Sequence, residues 1–407
     1  METYRETRSL RDEKREEERR KERQRQARRQ RQVKRLVRWA VAFAILAAMV
    51  VVTWAAMGPV RLSPMADAWA VMGRRGDSFP LDFSYGHTRQ AALLGQSIAL
   101  LGPTHLGVYT RGGYESLGLE QPYASPSLYA AGRRTVLFDR ASGKLMLLSR
   151  MAKLYDIELD RDIYCVGLNR RGDLAAATKS DSGASEVYVW DAKEKQRFAW
   201  RCEKEYPSAL CLAENGRSLA ACLIGTEKAG VYARFVDYPL GDETPRTDLR
   251  LDGAWLYGAA PASGGWLAVG DRAVYRIKHG AKAPETFSYE GRALECFDAQ
   301  PGGYCAVLLE DWDNHALLRV YDSNGKLVLE QRFRSRPLEV ACRGKSVYLR
   351  FDTHLLRWQK SSGFRQSQAL PLGTQGVCVA GRDAYVLTVR DVQLMRVHWE
   401  APQTLPQ

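Results

Sequence analysis

The stretch RVYDSNGKL, residues 319–327, decides the fold, because it joins a short strand with an aromatic end to a tight turn and the start of another strand. The stretch VLFDRASGKL at 136–145 has the same order, and VYVWD at 187–191 repeats its first part. In such turns a carboxylate accepts backbone N–H groups and a glycine supplies a positive φ. These roles are predicted for Asp139, Asp322, Gly143 and Gly325.

A second strand of small and apolar residues accompanies these hairpins and recurs eight times, with a turn before it about every 41 residues. Four short strands per unit of this length are typical of propeller blades. We predict an all-β chain with a β-propeller of about eight four-stranded blades over 77–407. Seven blades are the alternative, because the interval from Gly95 to Pro126 is 31 residues. The predicted second strands are 97–102, 127–132, 173–178, 218–223, 266–271, 304–309, 346–351 and 384–389.

Closure of the ring requires its two ends to meet, so that no sheet edge is left open. Phe79–Tyr85 is predicted to complete the last blade beside the C-terminal strand Val392–Trp399. The aromatic residues that end the third strands are predicted to pack between blades. This series is Phe138, Trp190, Tyr321 and Trp358.

An apolar segment without charge, WAVAFAILAAMVVVTWAAM at 39–57, precedes the repeats. A helix of this length spans about 28 Å, close to the thickness of a bilayer core. Eleven Lys or Arg lie in 19–38 and three in the 20 residues after the segment, which predicts a cytoplasmic N-terminus. We predict a transmembrane signal anchor at 39–58, a linker at 59–76 and an extracytoplasmic propeller in a cell-membrane protein. A cleaved signal peptide and a buried helix are the alternatives.

The basic tail, residues 1–38, holds 16 Lys or Arg and 8 Asp or Glu, whereas the rest of the chain is nearly balanced. Without an apolar face it is predicted to be a solvated helix or disordered. Its membrane-proximal charges are predicted to contact anionic lipid. No nucleic-acid partner is predicted, because aromatic residues for base stacking are not interleaved with the charges. The predicted lipid contacts are Arg28, Arg29, Arg31, Lys34, Arg35 and Arg38.

The repeat resembles the broad WD40 and quinoprotein-like propeller superfamily. The order of basic tail, anchor and degenerate propeller is similar to that of an uncharacterised bacterial family of membrane-anchored proteins with a domain of unknown function. The Gly-His element of WD40 repeats and the tryptophan docking motif of quinoproteins do not recur here. The resemblance therefore implies the fold and carries over no quinone-binding or other site residue.

All eight cysteines follow the apolar segment, and none forms a CxxC pair. Buried thiols that fill space are favoured. An extracytoplasmic location leaves one or two disulfides open, with Cys296 and Cys305 as the pair that flanks a turn, and metal ligation is a third alternative. Five cysteines share one place on the predicted first strands: Cys165, Cys211, Cys296, Cys342 and Cys378.

Motifs for catalysis are missing from the sequence: it has no GxSxG, HExxH, Walker loop or complete GxGxxG. The densest polar cluster, Glu310 to His315, is interpreted as a solvated loop, with a calcium site as the alternative. We predict no catalytic residue, no cofactor and no metal ligand.

Three functions remain. The favoured one is a non-enzymatic binding or scaffold module for a protein or a cell-envelope polymer. The alternative is an extracytoplasmic hydrolase or lyase with a carboxylate site on the propeller face. The third is a sensor that reports through the helix to the tail.

Overall fold

A computed structural model describes residues 39–41, 43–49, 76, 78–82, 88–228 and 230–402. The chain divides into two compact units, 1–66 and 67–407. In the first unit, residues 39–41 and 43–49 are helical. Within the described residues no helix has the length and apolar character needed to cross a membrane. The predicted transmembrane helix is thus not supported by the structure; the tail, residues 50–58 and most of the linker lie outside the described residues.

The second unit is a β-propeller of eight blades, each an antiparallel meander of four strands. This confirms the predicted fold class and the count of eight. The first strand of the described residues, β1 (Leu81–Asp82), belongs to blade 8. The strands of blades 1 to 4 are β2 (Gln90–Leu94), β3 (Ser97–Leu101), β4 (His105–Tyr109), β5 (Glu115–Glu120), β6 (Pro126–Ala131), β7 (Arg134–Asp139), β8 (Lys144–Ser149), β9 (Lys153–Glu158), β10 (Ile163–Leu168), β11 (Leu174–Lys179), β12 (Ser185–Trp190), β13 (Gln196–Cys202), β14 (Tyr206–Leu212), β15 (Ser218–Glu227), β16 (Gly230–Pro239) and β17 (Thr247–Asp252).

Blades 5 to 8 follow the same order, with a 3₁₀ turn at Trp312–Asn314 in blade 6. Blade 7 has a fifth strand, which is the last strand of the chain. The strands are β18 (Leu256–Ala262), β19 (Gly265–Gly270), β20 (Ala273–Lys278), β21 (Glu285–Ser288), β22 (Leu294–Ala299), β23 (Cys305–Glu310), β24 (Ala316–Tyr321), β25 (Leu327–Phe333), β26 (Glu339–Arg343), β27 (Ser346–Arg350), β28 (Leu355–Gln359), β29 (Gly363–Ser367), β30 (Gly376–Ala380), β31 (Asp383–Leu387), β32 (Asp391–Arg396) and β33 (Trp399–Glu400).

The two ends of the repeat meet in blade 8, as predicted. Leu81 pairs with Val392 and Asp82 with Asp391, so β1 is the outer strand of a sheet whose other strands come from the C-terminal part. Trp399 was expected in this blade but belongs to β33, which pairs with β29 of blade 7. The C-terminal part of the chain therefore contributes strands to both blade 7 and blade 8.

Seven of the eight predicted second strands are second strands, and the exception is in blade 2. The segment SLYAAG at 127–132 is mostly the first strand β6, and VLFD belongs to the second strand β7 rather than to a third strand. Small residues also suit the crowded first strands, so composition did not distinguish the two positions. The turn before the true second strand contains Gly132, with a φ of 63°. With Gly132 as the turn of blade 2, the turns before the second strands are evenly spaced. The short interval that suggested seven blades therefore disappears.

Both faces of every blade are buried against its neighbours. The buried apolar residues form eight clusters, and each cluster combines side chains from two adjacent blades. In one, Leu308 and Phe333 of blade 6 pack with Leu356 and Trp358 of blade 7. Full burial of such a side chain contributes about 1.5–3 kcal/mol. The predicted packing role of the third-strand aromatics is confirmed for Trp190, Tyr321 and Trp358, and Phe138 packs similarly from a second strand.

The turn residues mostly have the predicted roles. Asp322 accepts N–H bonds from Asn324 at 2.9 Å and Lys326 at 3.0 Å, and Gly325 has a φ of 77°. Asp139 accepts bonds from the backbone of Ser125 and Ala141 and from the Ser142 hydroxyl. The positive φ predicted for Gly143 was wrong. Glycine is required at this position for another reason, because a Cβ would lie 1.8 Å from the carbonyl oxygen of Leu159.

Replacement of Phe79 tests the importance of closure. The Phe79 ring packs on Tyr385 of β31 with ring centroids 5.4 Å apart. We expect Phe79→Ala to lower the free energy of unfolding by about 2 kcal/mol, because it leaves a gap where β1 meets blade 8. Urea unfolding measures this. The control is Trp312→Ala, at a side chain 80% exposed, which we expect to change stability by less than about 0.5 kcal/mol. Equal effects of the two changes would contradict the closing role.

Candidate functional site

The eight first strands of the blades surround the axis of the ring. We call the side on which they begin the upper face; it carries the loops that lead into each first strand and the loops that join second and third strands. The opposite side is the lower face. A ligand that approaches the axis from the upper face first meets residues at the beginning of the first strands and in these loops.

Cysteines connect neighbouring first strands around the axis. The Sγ of Cys211 lies 2.7 Å from the carbonyl oxygen of Ala259 in the next blade, and that of Cys342 lies 3.3 Å from the carbonyl oxygen of Asp298 in the previous one. All eight cysteines are free. The favoured prediction of buried thiols thus agrees with the structure. The alternative pair, Cys296 and Cys305, packs in two different clusters on opposite faces of blade 6 and is not bridged.

The thiols are held in their neutral form. Burial raises the pKa of Cys165 to about 12 and that of Cys211 and Cys378 to about 11. Because the thiolate is the nucleophile and the metal ligand, raised values make these groups inert. Across the described residues there is no set of three or more His, Cys, Asp or Glu side chains placed to hold a metal ion.

Tyr129 projects from the first strand of blade 2 toward the axis. Its side chain is 41% exposed. Burial of its hydroxyl is the main cause that raises its pKa, and Cys211, Asp298 and Cys165, which lie in blades 4, 6 and 3, add to the shift. A hydroxyl near groups from three other blades lies in the central channel.

The first strands of blades 3 to 6 each contain a β-bulge near the upper face, whereas those of blades 1, 2, 7 and 8 pair without interruption. A bulge leaves one residue unpaired and redirects its side chain. The four unpaired residues are Tyr164, Ser208, Tyr257 and Glu295.

Each redirected side chain contacts the following blade. The ring of Tyr164 is 5.9 Å from Tyr206, and the ring of Tyr257 is 6.5 Å from Phe297. Ser208 donates a hydrogen bond of 2.7 Å to the carbonyl oxygen of Leu256. Glu295 accepts one hydrogen bond of 2.9 Å from Arg336, in the loop that leads into blade 7, and its other carboxylate oxygen lies 2.9 Å from the same guanidinium group. The bulges thus link blades 3 to 7 at the mouth of the channel.

This half of the mouth exposes aromatic rings. Tyr206 is 50%, Tyr257 46% and Trp255 41% exposed, and Trp255 stacks on Tyr257 at 6.4 Å. We call this group of five residues from blades 3 to 6 the aromatic arc; its members are Tyr164, Tyr206, Trp255, Tyr257 and Phe297. Exposed aromatic clusters of this kind are a feature of interaction surfaces.

Charge divides the upper face into two halves. The upper-face loops of blades 3 to 6 hold nine Asp or Glu and five Lys or Arg, whereas those of blades 7, 8, 1 and 2 hold one and five. The acidic half therefore coincides with the aromatic arc. The basic half includes Arg89, Arg334 and Arg390, and a cavity of about 410 Å³ lies there at the junction of blades 7, 8 and 1. Gln90, Glu339 and Thr388 are among the residues that line it.

The site residues that the sequence predicts are the polar cluster at 310–315 and six basic residues of the tail. In the polar cluster 310–315, Asp311 pairs with Arg292 and Arg332, both at 3.0 Å, so its carboxylate is already neutralised by guanidinium groups. Asp311 is thus buried and paired rather than solvated, whereas Trp312 beside it is 80% exposed. The six predicted lipid contacts lie outside the described residues: Arg28, Arg29, Arg31, Lys34, Arg35 and Arg38. The sequence did not reveal the aromatic arc, because a bulge has no signal in its composition.

A protein family described as being of unknown function, DUF5711, matches residues 120–251. The match covers blades 2 to 4 of the ring. None of the curated proteins matches the chain.

Solved propeller structures share the fold of this ring and resemble it weakly in sequence. The C-terminal WD40 domain of Sif2 has a TM-score of 0.53 and 12% identity, with 80% of this chain and 99% of that chain covered. The dihydro-heme d1 dehydrogenase NirN in complex with DHE has a TM-score of 0.52 and 10% identity, with 80% and 81% covered. At such identities the likeness shows the propeller fold. Because one relative is a WD40 domain and the other an enzyme, the fold does not decide the activity.

The raised thiol pKa values predict a loss of stability at alkaline pH. An unfolded thiol titrates near pH 8.5, whereas burial raises the pKa of Cys305 to about 12. Between these values the unfolded chain releases a proton that the folded chain retains, so the free energy of unfolding falls as the pH rises. Urea unfolding from pH 8 to pH 11 should show a fall that is shallower in Cys305→Ala, by up to about 1.4 kcal/mol per pH unit. Ser185→Ala, at another fully buried position, is the control and should leave the slope unchanged. Equal slopes in all three proteins would contradict the assignment.

Proposed function

We propose that this protein is a non-enzymatic binding module that is anchored in a membrane and captures a protein partner on the upper face of its propeller. The observation that carries the proposal is the aromatic arc, which leaves large rings in water at the mouth of the channel. Exposure of several adjacent aromatic rings is unfavourable in a chain that works alone, and tyrosine and tryptophan provide much of the binding energy at protein interfaces.

The carboxylates at the mouth are paired with arginine side chains, although burial raises the pKa of Glu295 against the effect of Arg336. Glu295 and Glu339 are the acidic residues near the beginning of the first strands of the adjacent blades 6 and 7. The first is held by Arg336 at 2.9 Å and the second by Arg350 at 3.0 Å. A hydrolase or lyase of the glycosidase kind requires two carboxylates that exchange protons with substrate and water. Two carboxylates that are both engaged by guanidinium groups favour the binding module over that alternative.

The location is part of the same proposal. The apolar segment 39–57 and the excess of basic residues before it support an anchor with a cytoplasmic tail and an extracytoplasmic propeller. The six membrane-proximal basic residues are proposed to contact anionic lipid, each contributing about 1 kcal/mol.

Protease access to intact cells tests the location. Added protease should digest the propeller of the full-length protein and spare an epitope at its N-terminus. Replacement of the six proposed lipid contacts by glutamate should increase the fraction of inverted molecules, because these charges oppose translocation. The control replaces six more distant basic residues, which should have less effect: Arg5, Arg8, Arg11, Lys14, Arg15 and Arg19. A propeller protected from protease in wild-type cells would overturn the proposed topology.

Crosslinking in the native membrane, read by mass spectrometry, tests the binding face. A discrete protein should crosslink to the upper face of the full-length chain. The pair Tyr206→Ser and Trp255→Ser should abolish its capture, because it removes exposed rings without opening the core. The matched control, Lys345→Glu with Arg382→Glu in exposed turns of the lower face, should leave capture intact. Capture that survives the upper-face change and fails with the lower-face change would place the interface on the wrong side of the ring.

A further inference from the structure

The aromatic arc has a rigid backbone. Asp271 accepts a hydrogen bond of 2.9 Å from the backbone N–H of Trp255 and donates its own N–H to the Trp255 carbonyl oxygen at 3.0 Å. Tyr257 is the bulge residue of its strand, and the Phe297 ring lies 3.4 Å from the position that a Cβ on Gly258 would occupy. The stacking of Trp255 on Tyr257 also limits the motion of these two rings, so less side-chain entropy is lost when a ligand binds to them.

Acidic groups lie in the loops that lead to Tyr164 and Tyr206, where they outnumber the basic Arg161 and Lys204. Asp160 and Asp162 are exposed in the loop that leads to Tyr164, and Glu203 is exposed in the loop that leads to Tyr206. Burial, together with the nearby Tyr206 and Asp162, raises the pKa of Tyr164. The surroundings of the arc therefore repel anions and attract cations.

The electron-rich face of an aromatic ring attracts ammonium and guanidinium groups, and nearby carboxylates add to this attraction. A phosphate-bearing polymer is disfavoured here by the acidic loops. A single small cation would occupy one ring, whereas the arc extends over four blades and contains two groups of rings. Its length and charge suit an extended chain with several positive side chains.

We propose that the aromatic arc is a binding site for an extended peptide segment of a partner protein that carries lysine or arginine side chains. The inference rests on the proposed binding function and names the chemistry of its ligand. The positive groups lie over the rings of Trp255 and Tyr257 and over those of Tyr164 and Tyr206. The carboxylates of Asp160, Asp162 and Glu203 neutralise the remaining charge of the peptide.

Fluorescence anisotropy with the full-length protein in neutral detergent micelles tests the site. The probe is a labelled twelve-residue peptide of alternating Lys or Arg and Gly or Ser, at 0.15 M salt. The neutral counterpart has acetyl-lysine and citrulline at the same positions. We expect saturable binding of the cationic peptide, with quenching of tryptophan fluorescence, and at least about tenfold weaker binding of the neutral peptide.

Two substitutions of Tyr257 distinguish the effect of its aromatic ring from the effect of its side-chain volume. Tyr257→Leu keeps an apolar side chain and should weaken binding about fivefold, whereas Tyr257→Phe keeps the ring and should bind as wild type does. The pair Asp160→Asn and Asp162→Asn should weaken binding and reduce its salt dependence. Near-UV circular dichroism of each variant verifies that the propeller is folded.

Three outcomes overturn the inference: equal binding of the cationic and neutral peptides, equal binding by Tyr257→Leu and Tyr257→Phe, or no binding of the cationic peptide. A neutral hexasaccharide of N-acetylglucosamine that binds in place of the peptide and is lost in Tyr257→Leu would assign the arc to glycan. If the peptide fails while a protein still crosslinks to the upper face in the membrane, the ligand class is wrong and the proposed function stands.

Discussion

Burial of both faces of every blade is the constraint on which the rest of this structure depends. Each of the eight apolar clusters combines two blades, so a blade without neighbours would expose both of its faces to water. A linear stack would leave two such faces uncovered, and closure removes them. The short strand β1 is therefore important for closure, since it pairs with β32 in blade 8 and precedes the first strand of blade 1 in the chain. The cluster that contains Ile98 of blade 1 and Tyr385 of blade 8 completes the ring of clusters.

The sequence predicted the elements whose chemistry repeats. Second strands must be small or apolar, because both of their faces are buried, and the turns before them need glycine, so both features recur at nearly constant spacing. The same rule failed in blade 2, where Tyr129, Ala130 and Ala131 make the first strand resemble a second strand.

Symmetry about a turn also suggested that Cys296 faces Cys305. The turn is instead centred on Gly302, so Cys296 lies opposite Leu308 and Cys305 opposite Ala299, and the bulge at Glu295 changes only the pairing beyond Cys296. A register shift of one residue has no compositional signature, and the bulges therefore had to be seen in the structure.

Bulges also explain how a repetitive ring acquires an asymmetric face. In blades 1, 2, 7 and 8 the first strands pair without interruption, and the upper mouth there is lined by Arg89, Gln90 and other polar residues. In blades 3 to 6 each bulge directs a side chain toward the following blade, so the contacts of Tyr164, Ser208, Tyr257 and Glu295 are variations of one geometry. The clusters between blades are untouched by this difference, because the bulges lie at the ends of strands that remain paired. The paired parts of these strands thus stabilise the ring, and their bulged ends determine which side chains the upper face presents.

The chemistry around the axis favours the proposed binding function over the alternative of catalysis. General acid–base catalysis needs groups that titrate near the working pH and are free to exchange protons. Here burial raises the pKa values of Cys165, Cys211 and Tyr129, and burial rather than a specific charge partner is the largest cause in each case. Shifts of this origin keep a group neutral and inert. The carboxylates of Glu295 and Glu339 have guanidinium partners that would have to leave before either could act on a substrate. The rings of Tyr206, Trp255 and Tyr257, by contrast, are exposed and already positioned, and recognition requires no more of them than that.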